Sequence, residues 1–259
     1  MLEIRSARKV FYKGQADEKV ALDGLKLSLA TGEFGVVIGS NGAGKSSMLN
    51  AISGALVLDS GQVVINGDDV TAMPVHKRAM RLARVFQDPM RGTAASMTVA
   101  ENMLLAELRS NKRTLRRGLN TTRLATYKER LSLLGLGLEN RLDTRVELLS
   151  GGQRQSLSLI MAVGGEPELL LLDEHTAALD PRTADIVMQA TIRAVEALKL
   201  TTLMVTHNMQ HAVDFGHKVI MLDAGRVRLE IDGKEKAQTT VPELIGHFSV
   251  KTDRMFLAS

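Results

Sequence analysis

The chain has 259 residues, with 33 Lys+Arg against 29 Asp+Glu for a formal charge of +4, and 44% of it is apolar. That is the composition of one large globular domain and excludes a disordered or fibrous chain. Having no cysteine, it has no disulfide, thiolate zinc site, iron–sulfur cluster or cysteine nucleophile, and it suits a reducing compartment.

The start, Met1 to Gly14, scatters charges where a secretory signal needs an apolar core, and no stretch reaches the roughly 20 apolar residues that span a bilayer. The expected protein is soluble or peripheral. Short apolar runs bounded by turn residues predict strands at Phe34 to Ile38, Val63 to Ile65, Arg84 to Phe86, Leu169 to Leu172, Thr202 to Val205 and Val219 to Leu222. Helical patterns at Lys45 to Ser53, Arg182 to Leu198 and Met209 to Phe215 alternate with them. This rhythm predicts βαβ units and a mostly parallel sheet, with Leu169 to Leu172 as a central strand covered on both faces.

From Pro89 to Gly165 the rhythm breaks. Helical patterns occur at Val99 to Arg109, Thr122 to Leu134 and Gln153 to Val163, with no strand between them, so 89–165 reads as a helical insertion in a core made of 1–88 and 166–259. Its middle is basic, with Arg109, Lys112, Arg113, Arg116, Arg117, Arg123, Lys128 and Arg130 against Glu129. This is a solvated helical surface or a face near anionic lipid or an acidic partner. Asp223 to Ile231 reads as a hairpin, and a terminal helix follows Pro242. With 2 tyrosines and no tryptophan, stacking platforms for nucleic acid are not expected.

Gly39-Ser40-Asn41-Gly42-Ala43-Gly44-Lys45-Ser46 has the spacing G-x-x-x-x-G-K-S/T between a predicted strand and a predicted helix, the context this phosphate-binding loop requires. Its glycines let backbone amides close on phosphate oxygens, and the helix starting at Lys45 adds the positive end of its dipole. Lys45 is then expected to reach the β- and γ-phosphates, Ser46 to ligate magnesium, and Ser47 to bind ATP beside them. Asp173 and Glu174 end the buried Leu169 to Leu172 run, at the carboxyl edge where such sheets bind ligands. Asp173 suits magnesium through a water, and Glu174 a general base toward the water attacking the γ-phosphate.

Ser150, Gly151, Gly152 and Gln153 open another helix. Ser150 and Gln153 have capping-box spacing. Two glycines in the first turn are poor helix formers, so a function is expected of them: a bare helix terminus that accepts an anion.

Leu149-Ser150-Gly151-Gly152-Gln153-Arg154-Gln155 is similar to the signature motif of the nucleotide-binding subunits of ABC transporters, and the resemblance covers nearly the whole chain. It implies a P-loop NTPase fold: a RecA-like, mostly parallel sheet flanked by helices, with an amino-terminal antiparallel β part and an inserted α-helical subdomain. It implies an ATPase using ATP and Mg2+, working as a head-to-tail homodimer in which Ser150, Gly151, Gly152 and Gln153 of one copy close the phosphate loop of the other. By the same resemblance, Gln87 contacts magnesium and the catalytic water. His207 holds the γ-phosphate and supports Glu174. Ala178, Leu179 and Asp180 form a loop crossing between subunits, with Asp180 also a helix cap ahead of Pro181. Phe11, next to Tyr12, stacks the adenine. His175 stands where the family often has proline and reads as an ordinary loop residue.

The implied partners are integral membrane permease subunits and, through them, an extracytoplasmic substrate-binding protein, which puts this chain on the cytoplasmic face of the membrane. Phe86 to Met90, Gly135 to Leu142 and Leu172 to Pro181 resemble a bacterial branch associated with import of aromatic amino acids. A soluble ATPase of the same type acting on nucleic acid or ribosomes is the alternative; a P-loop kinase or GTPase leaves the signature unexplained.

Overall fold

The computed structural model describes residues 1–109 and 118–247. Lys112, Arg113, Arg116 and Arg117 of the basic run lie outside the described residues. The strands are β1 (Leu2–Phe11), β2 (Lys19–Leu29), β3 (Phe34–Gly39), β4 (Ser60–Ile65), β5 (Asp68–Asp69), β6 (Leu82–Val85), β7 (Leu169–Asp173), β8 (Thr202–Val205), β9 (Lys218–Asp223) and β10 (Arg226–Asp232). The helices are α1 (Lys45–Ser53), α2 (Val75–Arg78), α3 (Val99–Glu107), α4 (Thr121–Ser132), α5 (Gly151–Val163), α6 (Pro181–Leu198), α7 (Met209–Asp214) and α8 (Gly233–Gln238).

Two sheets form. One is antiparallel, in the order β2-β1-β4-β5; the other has six strands in the order β10-β9-β3-β8-β7-β6. In the second, β9, β3, β8, β7 and β6 are parallel and only β10 runs against its neighbour, as the 223–231 hairpin predicts. The Val63 to Ile65 strand belongs to the antiparallel sheet, paired with β1, so it adds nothing to the parallel count its neighbours suggest. The short-run criterion does not mark β1 and β2. Their signal is alternation, clearest in Leu25, Leu27 and Leu29, all buried between exposed neighbours.

The pleat divides the core. Val36, Ile38, Leu170, Leu172 and Met204 face a cluster with Val99, Leu131, Leu157, Leu159 and Met188 from the helices. Val37, Leu171, Leu203 and Val205 face the other way, onto Met48, Leu49 and Ile52 of α1 and the antiparallel sheet. Successive residues of one strand thus serve opposite cores, which is why these strands read as unbroken apolar runs.

Between Val85 and Leu169 the described residues hold helices and short 3-10 turns but no strand. Within the predicted basic run, Arg123 Nε donates to Glu107 at 3.0 Å and Arg130 Nη1 to the Gly164 carbonyl at 3.3 Å. Residues 241–247 are helical. Among the described residues no helix is long and apolar enough to cross a membrane.

Candidate active site

The strand order brings the carboxyl ends of β3, β8, β7 and β6 to one edge, and a cavity of about 610 Å³ opens there. Ser40, Asn41, Gly42, Gly44, Lys45, Ser46 and Ser47 line it from the β3–α1 turn, Asp173 and Glu174 from the end of β7, Gln87 from the turn after β6, and Phe11 from the end of β1. Tyr12 is well exposed and does not line the cavity. Gly39 and Ala43 support the loop from behind, Ala43 through its carbonyl, which accepts from Gly225 N–H at 3.0 Å.

α1 begins without a side-chain cap, after Gly44 at φ 104°, a conformation that an L side chain rarely adopts. Its first-turn amides therefore stay free for an anion. Lys45 is only 7% exposed, and its Nζ donates to the Gly39 and Ser40 carbonyls at 2.6 and 3.1 Å. Burial holds its ammonium below the usual lysine range, while Glu174 and Asp173 pull it back toward the charged form.

Asp173 accepts from Arg84 Nη2 at 2.6 Å, and Arg84 Nη1 also donates to Asn50 Oδ1 at 2.8 Å. Arg84, which begins a predicted strand, carries no local motif that marks it as a site residue, because its partner Asp173 lies 89 positions away along the chain. Glu174 takes φ 46°, in the left-handed region, where a non-glycine residue is strained by about 1–3 kcal/mol. The turn is over-determined: Glu174 N–H donates to the Val205 carbonyl at 3.0 Å, and Ala177 N–H to the Glu174 carbonyl at 2.9 Å. His207 follows β8 and places Nδ1 3.2 Å from Glu174 Oε2.

His175 is not an ordinary loop residue. It is 2% exposed, its Nε2 lies 3.0 Å from Thr191 Oγ1, and that hydroxyl donates to the Val187 carbonyl at 2.9 Å. The residue after the strained glutamate is thereby anchored on α6. Complete burial pushes its imidazole pKa down to about 3, with His211 nearby acting in the same direction, so it stays neutral.

Ser150 caps α5 with both halves of a capping box: Gln153 N–H donates to Ser150 Oγ at 3.3 Å, and Ser150 N–H to Gln153 Oε1 at 3.2 Å. Ser150 and Gly151 are exposed, and none of Ser150, Gly151, Gly152 or Gln153 lines the cavity of its own chain. Gly152 corrects the expectation that only function selects these glycines. It is buried, and a Cβ there would overlap the Thr183 methyl on α6. Close helix contact is a structural reason for that glycine. Gln155, buried one turn on, donates to the Phe86 carbonyl at 2.9 Å and so ties α5 to the turn that carries Gln87. Ala178 and Asp180 are exposed, and Asp180 Oδ1 caps α6 by accepting from Thr183 N–H at 3.1 Å.

Comparison with known proteins identifies the family. The family model described as ABC transporter matches residues 22–177. A tyrosine transport ATP-binding protein of Clostridioides difficile is 43% identical over 252 residues, 96% of this chain and 98% of that protein. The methionine import ATP-binding protein MetN of Corynebacterium efficiens is 32% identical over 87% of this chain, which spans 61% of that longer protein. An ATP-binding cassette solved as a dimer in a post-hydrolysis state with ADP and Pi superposes with a TM-score of 0.76 at 28% identity, over 90% of this chain and 98% of the other. The chain belongs to the ABC transporter family, as an ATP-binding subunit that hydrolyses ATP.

Proposed function

We propose that this chain powers import of an amino acid, an aromatic one by analogy with the tyrosine-transport relative, through separate permease subunits fed by an extracytoplasmic binding protein. Two copies stand head to tail at the cytoplasmic face of the membrane, with no role for nucleic acid. The observation that carries the reading is the split between the two anion-binding helix tips. One cavity collects Lys45, Ser46, Gln87, Asp173 and Glu174, while the exposed Ser150–Gly151 tip of the same chain lies outside it. A second copy is what brings such a tip to the cavity, and the dimeric relative bound to ADP and Pi supports that arrangement. In the same reading, 1–88 and 166–259 form the nucleotide-binding core and 89–165 the helical part, supported by the lack of strands between Val85 and Leu169 among the described residues.

Ser46, Gln87 and Asp173 supply only oxygen donors to one cavity, the set that suits Mg2+. When bound, the metal neutralises charge that develops on the transferred phosphoryl group. Ser46 and Gln87 would hold it directly and Asp173 through a water. Lys45 leaves the Gly39 and Ser40 carbonyls for phosphate oxygens. Glu174, kept in its strained turn by Val205 and by the buried His175, accepts a proton from the attacking water; His207 steadies that carboxylate and meets the γ-phosphate. Phe11 stacks the adenine, and Ala178, Leu179 and Asp180 cross toward the partner. Placement plus fixed charge supplies most of the catalysis in such reactions.

The test is Glu174→Gln, which keeps the shape and removes the base. Turnover should fall by at least about a hundredfold while ATP binding persists and the protein elutes as a dimer in ATP. Hydrolysis within severalfold of the native rate would remove Glu174 from this role.

A further inference from the structure

Arg84 occupies a place in the cavity that no motif explains. It projects from the middle of β6, the strand beside β7, and lines the same cavity as the phosphate loop. Its two terminal nitrogens divide between Asp173 Oδ2, at 2.6 Å, and Asn50 Oδ1, at 2.8 Å. Asn50 sits on α1 one turn after Ser46, so a single guanidinium ties together the two elements that carry the oxygen donors Ser46 and Asp173. The pair is mostly sequestered, with side-chain exposures of 12% for Arg84 and 19% for Asp173. The guanidinium lies 4.9 Å from the Phe86 ring centroid, and Arg84 Nε is buried without a partner among the described residues. An arginine held in this way is not a solvated surface cation.

We propose that Arg84 is the resident counter-ion of Asp173. It positions the carboxylate and keeps it charge-balanced before nucleotide arrives, and it sets how much Mg2+ the site needs. The inference rests on the reading of Asp173 as a metal-site carboxylate. Oδ2 is engaged by Arg84, and among the described residues Oδ1 has no hydrogen-bond partner, so it remains for a metal-bound water. Two cations sharing one carboxylate oppose each other, so Arg84 must weaken the attraction of Mg2+ for Asp173. As a fixed positive charge on the cavity wall, it must also favour a triphosphate that arrives without metal. The two effects have opposite signs when the charge is removed, a pattern that a purely structural role does not produce.

The experiment measures binding of a fluorescent, non-hydrolysable ATP analogue to the full chain, once in EDTA and once across a series of Mg2+ concentrations. In Arg84→Met, metal-free binding should weaken roughly tenfold while the Mg2+ concentration for half-maximal binding falls roughly tenfold, the size of an ordinary coupling between sites. Arg84→Lys keeps the charge and should return both values to within about threefold of native. Should the methionine variant not fold, Arg84→Gln carries the same two expectations.

Unchanged Mg2+ dependence in the uncharged variants, or weaker binding under both conditions, overturns the proposal. Asp173→Asn separates the two readings. If Asp173→Asn leaves the Mg2+ dependence native, the reading of Asp173 itself fails. If it alters that dependence while Arg84→Met does not, only the counter-ion role fails.

Discussion

Acid should unfold this protein earlier than its carboxylates alone would dictate, because His175 is buried neutral. Its imidazole moves from an ordinary pKa of 6.5 in the unfolded chain to about 3 in the fold, through burial first and the neighbouring His211 second. For a base whose folded pKa is lowered, the unfolded state takes up the extra proton. The stability this group contributes is therefore complete above pH 6.5 and is lost as pH falls from there toward 3. At pH 5 the unfolded histidine is almost fully protonated and the folded one is not. The gap of about 1.5 pH units corresponds to about 2 kcal/mol. His211, also held below its usual range by burial, adds to the loss with the same sign. In a chain of this size, 2 kcal/mol lowers the melting temperature by about 4–8 °C.

The assay is thermal or urea unfolding at pH 7.5 and pH 5 for the native chain and for His175→Gln. The amide side chain does not titrate and retains a group to meet Thr191. The variant starts less stable but should lose about 2 kcal/mol less than the native chain between the two pH values. Equal losses in the two proteins would refute the assignment of a buried neutral imidazole behind the strained Glu174.

Two further outcomes follow from packing. Arg78 is 3% exposed and donates to the carbonyls of Met73, Ala51, Ile52 and Thr71, two of them in the last turn of α1. Arg78→Met should destabilise the fold by about 3 kcal/mol by leaving those acceptors unmet, and urea unfolding showing a loss under about 1 kcal/mol would contradict it. At the tip of α5, Gly152→Ala should be destabilised by about 1–3 kcal/mol through overlap with Thr183, and Thr183→Ala should restore much of that loss. Gly151→Ala, whose added Cβ meets only the end of Leu179 at 3.2 Å, should unfold near the native temperature.

Much of the candidate site is legible in the sequence because its signals are local. Eight consecutive residues, Gly39 to Ser46, mark the β3–α1 loop that lines the cavity. α1 spans the predicted Lys45 to Ser53 and β8 the predicted Thr202 to Val205. The capping box at Ser150 and the N-cap at Asp180 form as their spacing implies. The resemblance to a family supplied Gln87, His207 and Phe11, which composition and periodicity alone do not single out.

Periodicity and capping are properties of a few neighbouring residues, so the chain itself determined most of its helices, the strands of its parallel sheet and the glycine-rich loop between β3 and α1. Tertiary structure decided what depends on which strand lies beside which. Setting β6 against β7 brings Arg84 onto Asp173, and placing β8 next to β7 brings His207 to Glu174. Packing α6 under the β7 turn buries His175 against Thr191, and packing it against α5 makes Gly152 a steric necessity as well as a bare helix tip. Such contacts join residues far apart along the chain, and their strength comes from desolvation and shape at the meeting point, which no local pattern encodes.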